Sequence, residues 1–256
     1  MSYERILYEV KGSLAYITLN RPEKRNALDA LMLDELSSAF AQAGNDKEVR
    51  VVVLTGAGQD FCSGLDLTAL QKIRQASILE NLEDATRMVH VLTSMRYLPK
   101  PIVALVRGRA LAGGCGLATA CDLVLASETA QFGYAEVKIG FVPAIVTALL
   151  RRNVSEKRAF ELVVGGQTIG AHEAERIGLI NHVYPDDEFD ARAETFLSAL
   201  DQNSASAMAL TKRLLYRIDG MTFELAMQTG AEINTIARMT DDLQQGIQQF
   251  LERKKN

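Results

Sequence analysis

The sequence lacks the features that mark exported and membrane-spanning proteins. No apolar run approaches the length needed to cross a membrane, and the first ten residues, MSYERILYEV, contain no apolar signal core. The chain has three cysteines, an odd number, and none stands in a Cys-x-x-Cys pair. Reduced thiols in a cytoplasmic protein without a membrane partner are the simplest account of this composition.

The chain also lacks a strong excess of charge. Its 28 basic and 32 acidic residues give a net charge of −4, which provides no general attraction for nucleic acid. A hydrophobic content of 48% is ordinary for a globular protein. At 256 residues the chain can bury one full-sized core.

Residues typical of metal and nucleophile chemistry are sparse. None of the three histidines has a second histidine or a carboxylate at zinc-binding spacing. Ser63 lies in Cys62-Ser63-Gly64, which is not a Gly-x-Ser-x-Gly nucleophile elbow. A serine hydrolase with Ser63 as its nucleophile remains an alternative.

What the sequence has instead is a glycine-rich segment between two apolar runs. Residues 102–106 and 123–126 suit strands buried on both faces. Gly113, Gly114 and Gly116 lie between them, followed by small apolar residues that suit a short buried helix. The order predicts a strand, a glycine turn, a helix N-terminus and a second strand. Such a turn presents free backbone N–H groups, but its spacing fits neither a dinucleotide fingerprint nor a phosphate loop.

A second glycine turn, Ser63-Gly64-Leu65-Asp66, also follows a buried strand and precedes a helix. If the two turns converge, two backbone N–H groups face a single oxygen atom and form an oxyanion hole without any side chain. A carboxylate beside them could move protons. Glu136 has apolar and aromatic neighbours that would raise its pKa on burial, although its spacing alone fits a solvated surface glutamate equally well.

Hydrophobic periodicity predicts an α/β protein with a helical C-terminal extension. A hairpin is expected over residues 6–10 and 14–20, and Asp29 is expected to cap a helix. Strand–helix units recur through residue 127. A long helix before Pro99 should bury the stripe formed by Leu82, Ala85, Val89 and Leu92. Further helices are expected at residues 188–201, 205–218, 222–238 and 240–253.

Five motifs follow one another along nearly the whole chain: Arg25-Asn26-Ala27-Leu28, Phe61 through Leu67, Gly108 through Asp122, Phe132 through Pro143, and Ala174 through Asn181. In that order and at those separations they resemble the enoyl-CoA hydratase/isomerase (crotonase) family. The resemblance implies a ClpP/crotonase-type spiral of ββα units at residues 1–195, which carries the acyl-CoA site. It implies a helical trimerisation region at residues 196–256, and hence a homotrimer or a hexamer built as a dimer of trimers.

Carried over position by position, the resemblance implies catalytic roles for three residues. The amides of Leu65 and Gly113 would form the oxyanion hole for an enolate, and Glu136 would be the acid/base. No cofactor or metal is implied, because coenzyme A enters as part of the substrate. Asp66 either contacts the substrate or caps the following helix. The implied contacts to the CoA and the acyl group are Lys24, Arg25, Ala27, Ser63, Asp66, Gly114, Gly116, Tyr134, Phe250 and Lys254.

One departure from the family pattern bears on the reaction. Hydratases of the family use two glutamates, and the position of the first is Gly116 here, so that only the second, Glu136, is kept. Adding water conveniently uses two groups, whereas moving a double bond needs one base. A single carboxylate therefore fits 3-enoyl to 2-enoyl isomerisation at least as well as 2-enoyl-CoA hydration. A glutamate placed at position 116 is expected to emerge into the cleft and to favour hydration. A non-catalytic acyl-CoA-binding or RNA-binding protein on the same fold is a further alternative.

Overall fold

The computed structural model describes residues 3–253, which form two β-sheets surrounded by helices. Nine strands are present in this range: β1 (Ile6–Lys11), β2 (Leu14–Leu19), β3 (Val51–Gly56), β4 (Ile102–Val106), β5 (Arg109–Leu111), β6 (Leu123–Ser127), β7 (Gln131–Gly133), β8 (Thr168–Gly170) and β9 (His182–Tyr184). Two short 3-10 turns, Pro22–Lys24 and Glu136–Ile139, complete the non-α elements described.

Eleven α-helices lie in the same range: α1 (Ala30–Asn45), α2 (Leu67–Ile73), α3 (Ile78–Tyr97), α4 (Gly113–Ala120), α5 (Ala144–Asn153), α6 (Glu156–Gly165), α7 (Ala171–Arg176), α8 (Phe189–Asp201), α9 (Ala205–Arg217), α10 (Phe223–Arg238) and α11 (Asp241–Arg253). None of these described helices has both the length and the apolar character needed to span a membrane. The four C-terminal helices confirm the sequence prediction to within a residue or two. The predicted division between residues 195 and 196 falls inside α8 and stays a prediction.

The larger sheet has six strands in the order β1-β2-β3-β4-β6-β9. The first two form the predicted antiparallel hairpin, and the remaining pairs are parallel. Successive residues of β3 enter opposite cores, since Val51 and Val53 pack with Phe189 of α8 while Val52 and Leu54 join the main core. A parallel sheet covered on both faces requires such continuous apolar strands.

The smaller sheet contains β5, β7 and β8, and it arises from a repeated connection. The order strand–strand–helix occurs at β1-β2-α1, β4-β5-α4 and β6-β7-α5. In the second and third of these units, the first strand joins the larger sheet and the next joins the smaller one. This confirms the α/β spiral of ββα units. The three-residue strands β5 and β7 were not predicted, because they are too short to show a period.

The buried stripe predicted for α3 is wrong except at its C-terminal end, Leu92. Leu82 is 60% exposed and Val89 is 44% exposed, whereas Val91, Leu92 and Met95 are buried. The buried residues all lie toward the C-terminal end of α3, which packs on the core together with α1 and α4. Leu82 and Val89 match helical spacing but have no core beneath them.

A buried ammonium group fastens the C-terminal helices to the larger sheet. Lys212 of α9 is 7% exposed, and its Nζ lies 2.7 Å from Asp122 Oδ2. The same Nζ donates to the carbonyls of Met95 and Lys100, both at 2.9 Å. Asp122 also accepts the Ile102 N–H at 2.7 Å, at the start of β4. One charge pair therefore joins α9, the end of α3 and two sheet strands.

We expect Lys212→Met to destabilise the protein by about 3 kcal/mol, because the substitution leaves the desolvated Asp122 carboxylate without its counter-ion and two carbonyls without the ammonium donor. Urea unfolding followed by circular dichroism measures the loss. Lys157→Met, at an exposed position of α6, is the matched control and should change stability by less than about 0.5 kcal/mol. Equal effects of the two substitutions would contradict the role of Lys212.

Candidate active site

The two glycine turns identified in the sequence lie against each other. A short parallel bridge pairs Cys62 with Ala110 and draws the first turn alongside β5. A Cβ built on Gly64 would lie 2.8 Å from the Ala112 Cβ and 3.4 Å from the Gly113 nitrogen. The approach is closer than any side chain at position 64 would allow. The prediction that the turns converge is thus confirmed.

Two backbone donors at this junction have no acceptor among residues 3–253. They are the N–H groups of Leu65 and Gly113. On either side of Leu65, the Leu28 N–H donates to the Gly64 carbonyl at 2.7 Å and the Asp66 N–H donates to the Leu28 carbonyl at 2.9 Å. Gly113 begins α4, where the first N–H groups lack intrahelical acceptors. Free donors on adjoining turns are what an oxyanion hole requires.

The residue before the second donor is held in a strained conformation. Ala112 has φ +49° and ψ −126°, a region that residues with a Cβ rarely adopt. Its N–H donates to the Gly133 carbonyl at 2.7 Å, which ties the turn to the end of β7. Strain of this kind costs about 1–3 kcal/mol and concentrates at functional sites, where the surrounding structure maintains it.

An ion pair fixes the first turn to β5. The Arg109 guanidinium donates to both carboxylate oxygens of Asp60 at 2.7 Å, and the Arg109 backbone N–H adds a third bond at 3.0 Å. The hydrogen bonds from Arg109 hold the pKa of Asp60 below its ordinary value. Sequence reasoning missed this pair because the two residues stand 49 positions apart. It sets the position of Cys62 relative to Ala110.

A second buried network supports the segment around residues 21–28. Asn26, 0% exposed, donates to the carbonyls of Ala57 and Asp60 and accepts the Arg21 N–H. The Arg21 guanidinium in turn donates to the Ala27 carbonyl at 2.6 Å. Asn26 belongs to a motif that carried the family resemblance, yet its side-chain role was not predicted. Its left-handed backbone, φ +55°, is one that asparagine tolerates better than most residues.

Asp66 caps α2, as one of the two sequence hypotheses proposed. Its carboxylate accepts the Thr68 N–H at 2.7 Å and the Arg21 guanidinium at 2.7 Å through its other oxygen. Burial opposes ionisation, but the hydrogen bonds from Thr68 and Arg21 hold the pKa of Asp66 well below its usual range. With both oxygens engaged, Asp66 shapes the turn that carries Leu65, and a direct contact to substrate stays a prediction.

Glu136 is presented by the 3-10 turn that follows β7. The side chain is half-buried, and its Oε2 is a buried atom without a hydrogen-bond partner among the described residues. Burial raises the pKa of Glu136 above its ordinary value. Its charge also helps to raise the pKa of Cys115 in α4 and of Tyr134. A carboxylate with one unpartnered oxygen and a raised pKa is suited to accept and return a proton.

Tyr134 anchors this turn to α4. Its side chain is 0% exposed, and its hydroxyl lies 2.7 Å from Thr119 Oγ1. Thr119 donates in turn to the Cys115 carbonyl at 2.8 Å. The ring therefore lies in the core beside the base, and its predicted contact with the acyl group remains untested.

The expectation for Gly116 is wrong in one respect. A Cβ at this position would lie 2.2 Å from Val146 Cγ1, so a side chain there would run into α5 and would not emerge freely into the cleft. Gly114 is equally confined, since its Cβ would lie 2.3 Å from the Cys62 carbonyl oxygen. Both glycines are needed for close packing around α4. Their contact with substrate stays a prediction.

The remaining predicted contacts lie partly beside the turns and partly away from them. Lys24 and Arg25 are exposed, and the Ser63 N–H donates to the Arg25 carbonyl at 3.0 Å, so that Ser63 and Ala27 flank the Leu28–Leu65 bridge. Phe250 is 59% exposed on α11, which packs with α9 and α10. Lys254 lies outside the described residues.

No nucleophile or metal centre is assembled in the part of the chain that the structure describes. The Ser63 hydroxyl has no hydrogen bond there, and all three histidines are exposed. The contacts of the His182 ring are with the rings of Tyr184 and Phe196, and neither is a partner for a nucleophilic serine. No group of three or more potential metal ligands occurs within residues 3–253. The hydrolase alternative therefore has no supporting geometry.

We expect Gly64→Ala to destabilise the protein by about 1–3 kcal/mol more than Gly220→Ala. Both glycines have positive φ, +91° and +80°, but only Gly64 faces a neighbour, the Ala112 Cβ, whereas a Cβ at Gly220 meets nothing within 4 Å. The difference therefore isolates the contact between the turns from backbone strain. Thermal unfolding of the two variants measures it, and equal losses would refute the close contact.

Comparisons with known proteins agree with this geometry. The family model described as enoyl-CoA hydratase/isomerase matches residues 9–256. A Thermus thermophilus relative, provisionally named an enoyl-CoA hydratase, is 39% identical over 95% of this chain and 96% of its own length. The short-chain-enoyl-CoA hydratase of Clostridium acetobutylicum is 32% identical over 100% of this chain and 97% of its own.

Solved structures agree as well. The crystal structure of an enoyl-CoA hydratase from Mycobacterium smegmatis superimposes with a TM-score of 0.93 at 31% identity, covering 98% of this chain and 97% of that one. The match extends through both sheets and the C-terminal helices. On the convergence of the two turns and on these matches together, the chain belongs to the enoyl-CoA hydratase/isomerase family.

Proposed function

We propose that this chain moves protons on acyl-CoA thioesters through an enolate, with Glu136 as its single acid/base. The chain is an enzyme of the enoyl-CoA hydratase/isomerase family, and the proposal concerns how it works. The observation that carries it is the convergence of two turns whose N–H groups, those of Leu65 and Gly113, have no acceptor among the described residues. Glu136, whose carboxylate has a buried oxygen without a partner, supplies the base of the proposal. The Ala112–Gly133 hydrogen bond ties that carboxylate's turn to the second donor.

The two donors act on charge that develops during the reaction. When a proton leaves the carbon next to the thioester carbonyl, negative charge moves to the thioester oxygen. The Leu65 and Gly113 N–H groups would donate to that oxygen, and one such donor contributes about 3–4 kcal/mol to the barrier. Because they are backbone dipoles held by the packed turns, they need no reorganisation as the charge forms.

Glu136 would carry the proton. In an isomerisation, its carboxylate removes a proton from C2 of a 3-enoyl thioester, the electrons shift into the C2–C3 bond, and the carboxyl returns the proton at C4 to leave the 2-enoyl product. Its raised pKa makes the carboxylate a stronger base for the first transfer than an ordinary glutamate would be. In a hydration, the same carboxyl would have to activate water at C3 and supply the proton at C2.

Hydration remains the second candidate, because relatives over the whole chain carry the name enoyl-CoA hydratase. The two reactions are separated by assaying the purified protein with 2-enoyl-CoA and 3-enoyl-CoA thioesters by absorbance and mass. Binding of these thioesters in a calorimeter without turnover of either would favour the non-catalytic alternative. Absence of binding would refute the enzyme proposal itself.

The CoA portion would lie along residues 24–28, the segment that pairs with the first glycine turn through the Leu28–Leu65 bridge. Lys24 and Arg25 are exposed cations there and could meet phosphates, while the backbones of Ala27 and Ser63 would hold the adenine. The three cysteines are free and buried, which supports a reducing compartment such as the cytoplasm. Phe250 and the tail would cover CoA bound to a neighbouring subunit.

We expect Glu136→Gln to reduce kcat by about 10²–10⁴-fold while the affinity for thioester changes little, since the base is lost and its shape is kept. For the wild type, the acidic limb of the rate profile should lie above the ordinary glutamate pKa, because burial raises the pKa and the base must be ionised. Single-turnover kinetics across the pH range measure both effects. Glu48→Gln, at an exposed position, is the matched control.

The thermal stability of Glu136→Gln distinguishes loss of the base from damage to the fold. A raised folded pKa means that the ionised carboxylate destabilises the native state above the unfolded glutamate pKa. Glu136→Gln should therefore unfold at the same or a higher temperature at pH 7, and any gain should vanish as the pH falls below that unfolded value. Undiminished turnover in this variant would end the single-base mechanism.

The assembly is proposed to be a homotrimer or a hexamer. The three last helices and the turn between α10 and α11 expose many large apolar side chains, among them Phe223 at 74% and Met239 at 80%. Such surfaces are rarely left uncovered in a monomer. We expect Phe223→Glu and Met239→Glu to lower the mass found by light scattering. Leu7→Glu, 52% exposed on β1, is the control. A wild-type monomer at micromolar concentration would contradict the proposal.

A further inference from the structure

Val146 fills the space in front of Gly116. Its Cγ1 lies 2.2 Å and its Cβ 3.2 Å from the position that a Gly116 Cβ would take. Real Cβ atoms do not approach neighbours this closely, so a residue other than glycine requires Val146 to move. Val146 is 4% exposed, and Gly116 is buried on α4. The two residues therefore interlock.

The same stretch of chain brings both Val146 and Glu136 to α4. The 3-10 turn Glu136–Ile139 leads through Pro143 into α5, which packs directly on α4. Val146 and Leu150, one helical turn apart, are the buried residues of α5. A β-branched side chain in a helix has one strongly preferred rotamer. Val146 cannot readily turn aside to make room.

Apolar groups other than Val146 also lie against the first turn of α4. The Met88 Cε lies 3.8 Å from the Cβ positions of both Gly113 and Gly116, and Leu28 Cδ1 lies 3.3 Å from that of Gly113. Next to a free N–H donor, these side chains offer no group that could orient water or exchange a proton. An ionised carboxylate placed among them would lose its hydration without gaining a partner.

We infer that Val146 is a specificity-determining residue, which excludes a second proton-transfer group from the α4 face and so leaves proton movement to Glu136 alone. The inference rests on the proposed function and deepens it. By keeping position 116 free of a side chain, Val146 favours reactions that one carboxyl can complete, such as shifting a double bond. Reactions that need a second group to activate water are disfavoured.

The packing step is tested without any substrate, by thermal unfolding of Gly116→Ala, Val146→Ala and the double variant. Gly116→Ala should lower the midpoint by about 3–6 °C in the wild-type background, because it overpacks the α4–α5 contact. In the Val146→Ala background the same change should cause a clearly smaller loss, since the 2.2 Å contact with Cγ1 is gone, only the 3.2 Å contact with Cβ remains, and alanine favours the helix. An equal loss in both backgrounds would overturn the interlock.

The specificity step compares Gly116→Glu with Gly116→Gln, each made in the Val146→Ala background. The two variants differ in a carboxylate but hardly in size. The ratio of 2-enoyl-CoA hydration to 3-enoyl-CoA isomerisation should rise at least about tenfold for the glutamate over the glutamine variant, a modest part of what a general acid or base contributes. Equal ratios would overturn the inference.

Two further outcomes distinguish failure of the inference from failure of the proposed function. If Gly116→Glu in the wild-type background unfolds at the wild-type temperature and raises hydration, Val146 excludes nothing and the inference fails. If the wild type converts neither thioester, the proposed function fails and the specificity role with it. The unfolding data still decide separately whether Val146 and Gly116 interlock.

Discussion

The whole site depends on two turns of the chain approaching each other to backbone distance. Gly64 lies so close to Ala112 and to the Gly113 nitrogen that a single added carbon would separate them. This contact places two N–H groups side by side without protein acceptors among the described residues. Each donor alone is an ordinary helix-start or bridge amide. Together they would form the oxyanion hole of the proposed mechanism, with two fixed dipoles directed at one oxygen atom.

Charged and polar groups that flank the two turns hold this contact in place. Asp60 and Arg109 clamp one turn to β5, while Arg21 joins Asp66 at the start of α2 to the carbonyl of Ala27. All these groups are satisfied by partners, so the cost of burying them is offset and the geometry around them is rigid. Glu136 is the exception, with one buried oxygen unpaired. The polar groups that position the site have hydrogen-bond partners, whereas Glu136, the group proposed to react, has an oxygen without one.

The sequence predicted the architecture well, for reasons that particular elements make clear. The run Val51–Leu54, the cap at Asp29 and the four C-terminal helices each carry a local signal of burial, capping or period, and each is confirmed. The convergence of the turns was also foreseeable, because parallel strands bring their ends to one edge. What could not be predicted depends on contacts between distant residues. The Asp60–Arg109 clamp, the role of Asn26 and the obstruction of Gly116 by Val146 leave no periodic trace in the sequence. The burial predicted for the apolar stripe of α3 was wrong for the opposite reason, because its residues show helical periodicity where no core lies beneath them.

The buried ammonium of Lys212 has a consequence for how the molecule can be divided. It belongs to α9, yet all its hydrogen-bond acceptors belong to the α/β core, at Met95, Lys100 and Asp122. Opening the C-terminal helices away from the core therefore breaks the ion pair and all three hydrogen bonds of the ammonium group at the same time. Partial opening at this junction is penalised on both sides, which couples the two regions into one cooperative unit in native-state hydrogen exchange. A chain that ends before α9 would leave the Asp122 carboxylate exposed and without its counter-ion. The C-terminal helices therefore contribute to the stability of the α/β core.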